Sequence, residues 1–376
     1  MNSVVPHVSN HKLKLPELPV PPLEQTAQRL LESAKVLTTD ENQIKTLELR
    51  IASFLANEDP KLQSRLEEYK KDPRNLLSLE QIWDDANYME YRDSTVVNVS
   101  FFYGFVPTSQ PLSGTQYAAR IAHYALQFRK TLFDGQLDPD FIGKDKSPLC
   151  MNSYRFMFDA CRIPCKPADY VNVNRQKIGH VAVVHKGNWW SIPATTADGT
   201  PLSVSELEQK IDYIINQPVK EGFVGVLTTR NRDKWADIDP TNADSLAEIE
   251  SAAFVIALDG TQTLDTPVTK SRHLWHAGDG GKLSNNRFVD KPAQFICWTD
   301  QSSNTARGGL IGEHSAMDGT PIVRFCEFIL ENIEKFLHRL EEPVDRSIAN
   351  ARTDNSMQLH QKMMMKSKYI VKTIQS

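Results

Sequence analysis

One histidine and one aspartate, His314 and Asp318, have the residue types and the spacing of a general base and the carboxylate that orients it. The apolar run 308–312 before His314 predicts a short buried strand, and the segment 322–340 after it predicts a helix. We therefore expect His314 at the point where a strand gives way to a loop. One tight turn would bring the Asp318 carboxylate to the imidazole, fix its tautomer and leave the other ring nitrogen free to accept a proton.

The spacing alone leaves a buried structural His–Asp pair open as an alternative. A metal site on this pair is not predicted, because zinc needs three or four ligands and no third one is close in sequence. His273 and His276 also have a spacing that a metal site could use, but they have no nearby Glu or Cys to complete a zinc site. The glycine-rich run 278–281 is interpreted as a surface loop and not a phosphate cradle, because no strand leads into it. The sequence thus predicts no metal and no tightly bound cofactor.

Composition limits the class of protein. The 376 residues are 40% hydrophobic and 24% charged, which is typical of a soluble globular protein with one large or two medium domains. A net charge of −4 gives no electrostatic case for nucleic acid binding, and no apolar run is long enough to predict a membrane span. Five scattered cysteines predict reduced thiols. Without a recognisable address, the expected compartment is the cytoplasm, with mitochondria and peroxisomes not excluded.

Hydrophobic periodicity predicts an α/β fold with a mixed sheet, preceded by a helical region. Strand-like and helical segments alternate from residue 180 onward, and Lys186-Gly187 is a predicted hairpin turn. Helices are predicted at 23–37, 40–56, 61–70, 114–133 and 203–217, with a further helix after 148–154 that ends at 163–164. Strands are predicted at 95–102, 180–185, 189–192, 223–228, 253–258, 294–299 and 308–312.

Four large side chains at helical spacing, Ile82, Trp83, Tyr88 and Tyr91, are predicted to lie in the core. The alternative for a tyrosine is that its hydroxyl faces a cleft and binds a substrate carboxylate.

A series of short blocks, in one order along the chain, resembles the N-terminal half of the choline/carnitine acyltransferases, and is most similar to the carnitine acetyltransferases of fungi. The blocks are LPELPVPPLEQT at 15–26, YMEYR at 88–92, PLCMNSY at 148–154, CRIP at 161–164, HVAVVH at 180–185, DGTPL at 198–202, GVLTT at 225–229 with Arg232 and Trp235, NRF at 286–288 with Asp290 and Lys291, and EHSAMDGTP at 313–321.

This resemblance implies an acetyltransferase-like fold of the chloramphenicol acetyltransferase type, used twice, with the active site in a tunnel between two domains. It implies reversible acyl transfer between coenzyme A, as a co-substrate, and the hydroxyl of carnitine, within fatty acid metabolism. The catalytic histidine of the family falls on His314, its acidic partner on Asp318, and a tyrosine that holds the carnitine carboxylate on Tyr88. No coenzyme A-binding residue is assigned.

The resemblance also implies a layout of the chain. Residues 1–14 are expected to be a flexible N-terminus, 15–342 the N-terminal domain of the family, and 343–376 a divergent tail where a second domain would follow. The expected partners are acyl-CoA and carnitine. The alternative hypothesis is a catalytically silent half that binds a protein partner, or a second copy, through the face meant for the missing domain.

Overall fold

The computed structural model describes most of the chain between residues 15 and 341 and a short segment near the end. The described residues are 15, 18–72, 79–175, 178–219, 222–238, 243–260, 266–278, 281, 283–298, 308–315, 317–341 and 372–374. The predicted N-terminus 1–14, most of the predicted tail 343–376 and the middle of the 278–281 loop lie outside them.

The chain divides into a helical unit, residues 15–86, and an α/β unit that comprises the described residues from Asn87 onward. The helical unit contains α1 (Leu23–Leu37), α2 (Glu41–Lys71) and α3 (Glu80–Asp84), and a single π turn, Asp85–Met89, follows. The prediction of two separate helices, 40–56 and 61–70, is wrong, because the single helix α2 covers both segments. Asp40 starts it by accepting the amide of Asn42 at 2.9 Å.

The α/β unit is built on one seven-stranded mixed sheet in the order β1-β10-β9-β8-β6-β7-β11, which confirms the predicted fold class. The β9, β8 and β6 strands are parallel to one another, and the remaining pairs are antiparallel. These strands are β1 (Ser100–Gly104), β6 (His180–His185), β7 (Asn188–Pro193), β8 (Val255–Asp259), β9 (Gln294–Trp298), β10 (Gly308–Glu313) and β11 (Lys372–Ile374). Two small hairpins pair β2 (Phe141–Ile142) with β3 (Ser147–Pro148) and β4 (Ala160–Ile163) with β5 (Tyr170–Val173).

Both faces of the sheet are buried, so successive side chains of one strand enter different cores. Val181 and Val183 pack into one core, and Ala182 and Val184 into the other. The first core is completed by α4 (Gly114–Phe133), α5 (Val204–Ile215) and α10 (Gly319–Glu341). Buried residues of α6 (Val224–Leu227), α8 (Ala243–Glu250) and α9 (Pro267–Trp275) complete the second. The short helix α7 (Arg232–Ala236) follows α6 in the chain. In the described part of the chain, no helix has the length and apolar character to cross a bilayer.

Several predictions are confirmed at positions where helix caps or turn residues determine the local structure. The predicted helix 114–133 is α4, and the capping box of Ser203 and Glu206 starts α5. The predicted hairpin at Lys186-Gly187 joins β6 to β7, and both turn residues have positive φ, 49° and 77°. This is the conformation that a two-residue hairpin requires.

Other predictions are wrong where a local turn or a close backbone contact replaces the predicted strand. The strand predicted at 95–102 begins only at Ser100, because a turn closes from the Val99 amide to the Thr95 carbonyl at 2.9 Å. The segment 223–228 is the helical turn α6 and not a strand. Its Gly225 lies so close to other backbone that an added Cβ would be 2.1 Å from the Arg287 carbonyl oxygen.

The helix predicted to end at 163–164 is also wrong. Only a 3₁₀ turn, Asn152–Phe156, forms, and the chain then reverses at Asp159, whose φ is +56°, to enter β4. The core prediction for Ile82 and Trp83 is wrong too, since they are 46% and 51% exposed and α3 has no buried residue.

Three glycines of β10 allow large side chains from neighbouring elements to lie directly on the strand. Gly308 faces Tyr117 of α4, Gly309 faces Leu274 of α9, and Gly312 faces the ring of Phe101 in β1. A Cβ on any of them would lie 2.5 Å from a neighbouring atom, which is closer than real Cβ contacts allow. The glycine-rich pattern of this strand therefore reflects close packing on both of its faces.

We expect Gly309→Ala to lower the free energy of unfolding by about 1–3 kcal/mol, the usual cost of overpacking a core. The added methyl group would meet the Tyr103 carbonyl oxygen at 2.5 Å and Leu274 at 2.7 Å. Urea unfolding followed by circular dichroism measures the change. Gly260→Ala is the matched control, because nothing lies within 4 Å of its added Cβ. Equal stability of the two variants would contradict this account of β10.

Candidate active site

His314 lies immediately after β10, as predicted, and its backbone is fixed by the neighbouring strand. Its amide donates to the Val99 carbonyl at 2.9 Å, one residue before β1 begins. The two strands are antiparallel and pair Ser100 with Glu313, so β1 begins beside the residue at which β10 ends. The imidazole is half-buried. It is thus held at the rim of the core, where a side chain can be both oriented and reached.

Two aromatic rings fix the plane of the His314 imidazole. The Tyr88 ring stacks on it, with centroids 5.6 Å apart and planes inclined by 27°. The Phe101 ring approaches it edge-on, at 5.2 Å and 80°. Phe101 pairs with Gly312, whose missing side chain leaves room for that ring. The structure therefore brings Tyr88 and His314 together, although 226 positions separate them in the sequence numbering (314 − 88).

Asp318 does not make the expected contact with His314 in the described part of the chain. Its exposed carboxylate accepts the amide of Gly319 at 2.8 Å, at the start of α10. Helix N-termini have free amides, and a carboxylate there satisfies one of them. Ala316, in the turn between the two residues, lies outside the described residues. Neither ring nitrogen of His314 has a hydrogen-bond partner among the described residues.

The buried carboxylate nearest to His314 in sequence is that of Glu313. One of its oxygens accepts the Arg162 guanidinium at 3.2 Å. The other accepts the amide of Ser315 at 3.1 Å and its hydroxyl at 2.6 Å. Burial raises the pKa of Glu313 above its ordinary value, although Arg162 and Ser315 favour the ionised form. Glu313 and Ser315, the two neighbours of His314 in the chain, are therefore bonded to each other through the buried Glu313 carboxylate.

Arg162 belongs to a larger buried network centred on Asp169. The Asp169 carboxylate accepts Arg162 at 2.7 Å, Arg232 at 2.6 Å and Arg92 at 3.0 Å. Arg232 continues to Asp290 at 2.8 Å. Burial disfavours the ionised Asp169, but the guanidinium groups and the Cys165 amide outweigh it and keep the pKa of this carboxyl below its ordinary value.

Asp290 adds two more residues to this network, Trp235 and Thr95, and makes a second link to Arg162. Its side chain accepts the Trp235 indole N–H at 3.0 Å and the Thr95 hydroxyl at 3.3 Å, and its carbonyl accepts the Arg162 amide at 2.9 Å. The loops that carry the site are therefore anchored to one buried set of charges.

Of the two histidines at 273 and 276, His273 in α9 has a structural role. His273 lies 2.8 Å from the buried Asp259, which also accepts Arg287 at 2.8 Å. Asp259 is fully buried, yet Arg287 and His273 hold its pKa well below its ordinary value. His276 is exposed. Among the described residues, no three His, Cys, Asp or Glu side chains form a metal-binding group.

Four residues of this site have no role that the sequence predicts: Arg162, Asp169, Phe101 and Glu313. Arg162 stands in the CRIP block and Glu313 begins the EHSAMDGTP block, but neither block indicates what these two residues do. Phe101 was assigned only to a strand. Asp169 carries no local signal, because its partners come from distant parts of the chain.

Comparison with known proteins agrees with the resemblance in the sequence. Residues 18–373 match the sequence profile of the Choline/Carnitine o-acyltransferase family. The mitochondrial carnitine O-acetyltransferase of Saccharomyces cerevisiae is 32% identical over 340 residues, which cover 85% of this chain and 49% of that protein. Carnitine O-acetyltransferase of Homo sapiens is 30% identical, covering 86% and 53%. The chain spans about half the length of the curated relatives it matches.

A wider relative and one solved structure complete the comparison. The mitochondrial carnitine O-palmitoyltransferase 2 of Homo sapiens is 29% identical over 371 residues, covering 88% of this chain and 54% of that protein. A chloramphenicol acetyltransferase structure aligns with a TM-score of 0.27 and 9% identity, over 66% of this chain and 90% of that one.

We expect Asp169→Asn to lower the free energy of unfolding at pH 7 by about 3–5 kcal/mol, because it leaves buried guanidinium groups without their counter-charge. The folded-state pKa of Asp169 is below its unfolded value of about 3.9. Its stabilisation is therefore complete above the unfolded pKa and is lost as the pH falls through the folded one. The gap between wild type and variant should narrow below about pH 4.

Urea titrations between pH 7 and pH 3 measure this gap. Asp134→Asn is the matched control, because it removes an exposed pair with Lys130, worth about 0.5 kcal/mol or less. A gap for Asp169→Asn that is as small as the control, or that does not narrow in acid, would contradict the assigned network.

Proposed function

The chain belongs to the Choline/Carnitine o-acyltransferase family, and we propose that it carries the general base of a reversible acyl transfer between coenzyme A and the hydroxyl of carnitine. The main support is the position of His314, which follows a buried strand and lies against the rings of Tyr88 and Phe101. The acyl group we propose is acetyl, because two of the relatives named above are carnitine O-acetyltransferases.

In the proposed reaction, His314 takes the proton of the carnitine hydroxyl as its oxygen attacks the thioester carbonyl carbon. A C–O bond forms, the C–S bond breaks, and the imidazolium returns the proton to the departing thiolate. In the reverse direction the coenzyme A thiol gives its proton to the same nitrogen. A thiol is the more acidic of the two substrate groups, with an ordinary pKa of about 8.5 when it is a cysteine side chain. Imidazole as a side-chain type titrates near neutral pH and can serve both directions. Such a base contributes roughly 10²- to 10⁴-fold, and positioning of the two substrates supplies more.

Two further residues have proposed roles. Asp318 is the acidic partner of His314, a role that requires its carboxylate to leave the Gly319 amide and turn to the imidazole. The Tyr88 hydroxyl binds the carnitine carboxylate, while its ring remains on the imidazole. Coenzyme A acts as a co-substrate and not as a tightly bound cofactor. The cytoplasmic compartment stays a prediction.

We expect His314→Ala to reduce acetyl transfer to carnitine by roughly 10²- to 10⁴-fold while coenzyme A binding is retained, because the change removes only the base. Release of the coenzyme A thiol from acetyl-CoA, with and without carnitine, measures transfer, and calorimetry on the same sample measures binding. His276→Ala, an exposed histidine outside the site, is the control.

Turnover that survives His314→Ala would reject the general-base role. If the wild-type chain neither binds coenzyme A nor transfers acetyl groups, the proposal fails. The alternative of a silent, partner-binding half would then be tested by its state of association.

Tyr88→Phe should raise the KM for carnitine roughly 10- to 150-fold, the range expected when a hydrogen bond to a charged group is lost. We expect kcat to change little, because phenylalanine keeps the ring that stacks on His314. Steady-state kinetics with varied carnitine measures both constants. Tyr213→Phe, at an exposed position on α5, is the control. An unchanged KM would remove Tyr88 from carnitine binding.

A further inference from the structure

The Arg162 side chain is fully buried and contacts the backbone or side chains of three separate segments. Its Nε donates to Asp169 at 2.7 Å and its Nη1 to Glu313 at 3.2 Å. Its Nη2 donates to the carbonyl oxygen of Tyr88 at 2.6 Å. A planar guanidinium presents its donors in a fixed geometry, so the three acceptors must keep fixed positions relative to one another.

Two of these acceptors belong to the peptide segments that carry the stacked rings. Glu313 directly precedes His314, and its second oxygen also holds the Ser315 amide and hydroxyl. The Tyr88 carbonyl lies on the residue whose ring stacks on the imidazole. The same guanidinium therefore fixes the backbone beneath both rings.

We propose that Arg162 is a positioning residue that sets the stacking of the Tyr88 ring on the His314 imidazole by bridging Glu313 and the Tyr88 carbonyl. The inference deepens the proposed function, on which its catalytic consequence rests. The competing explanation is that Arg162 only stabilises the fold. Buried ion pairs can often be replaced by apolar residues without loss of stability. Stability alone therefore does not explain why an arginine, whose guanidinium binds several acceptors at once, occupies position 162.

Histidine-selective NMR separates the two explanations without requiring turnover. The chain has 10 histidines, so nine resonances serve as internal references and His314→Gln identifies the tenth. In Arg162→Lys, which keeps the charge and loses the fork, we expect the His314 resonance alone to move toward its random-coil position. Loss of the ring-current effect of Tyr88 is the physical reason.

Arg129→Lys is the matched control for a structural effect. Arg129 is another buried arginine. It is bound in two-point fashion to Asp159 with a shortest contact of 2.7 Å, and its guanidinium lies over the ring of Phe133. It should lower the unfolding midpoint and leave the His314 resonance unchanged. If Arg162→Lys folds and behaves in the same way, with a lower midpoint and an unmoved resonance, the positioning role is overturned.

If Arg162→Lys does not fold cooperatively, Glu313→Gln decides the question from the other end of the bridge. It keeps the shape of the side chain and weakens its bond to Arg162. A moved His314 resonance supports the inference, and an unmoved one overturns it.

The kinetic consequence is a second readout. When the wild-type chain is active, the folded Arg162→Lys variant should lose roughly 10- to 100-fold in kcat, the scale expected for a small misplacement of catalytic groups, with little change in the KM for carnitine. A raised KM with unchanged kcat would overturn the positioning role. An inactive wild type with a moved resonance in Arg162→Lys would sink the proposed function and leave the geometric inference standing.

Discussion

The Asp169 carboxylate, buried among three arginines, is the interaction on which the rest of the candidate site depends. Its side chain is fully buried, and Arg92, Arg162 and Arg232 converge on it from three segments. Each arginine would be costly to bury alone, and so would the carboxylate. Glu313, Asp290 and the partly exposed Asp233 extend it, so three guanidinium groups and four carboxylates form one connected network. Removing one member would leave a buried charge without its partner, which is strongly destabilising. The loops that carry these residues are therefore held together as one unit.

Close packing complements this network at the edge of the sheet. The network fixes backbone positions, whereas the orientation of the imidazole comes from rings that lie against it. Phe101 can reach His314 only because Gly312 leaves its own position empty. Glycine thus has a functional consequence in β10: it allows an aromatic side chain to contact the histidine that ends the strand. The charged network fixes the backbone that carries the imidazole, and the two aromatic rings fix the plane of the imidazole itself.

The sequence was informative where a signal was local and weak where contacts were distant. The α4 helix, the hairpin at Lys186-Gly187 and the strand before His314 follow from periodicity, turn chemistry and capping, which act over a few residues. The same reasoning failed at 223–228, where a backbone contact with Arg287 favours a helical turn over a strand. The network could not be predicted in this way, because Arg162 and Glu313 are 151 positions apart and Arg232 and Asp169 are 63 apart. Family resemblance selected Tyr88 and His314, but only the fold shows that their rings stack.

The arrangement around His314 has a chemical consequence that differs from the simple picture of a base and its orienting carboxylate. Stacking and edge contacts restrict the ring plane, but they leave the edge of the ring, where both nitrogens lie, to other partners. Asp318 is engaged with the Gly319 amide, and within the described chain no other group contacts these nitrogens. A hydrogen-bonding group that reaches the ring edge, the Asp318 carboxylate of the proposed function included, would therefore set the tautomer of His314. The neighbouring rings therefore orient the imidazole before any partner binds to its nitrogens.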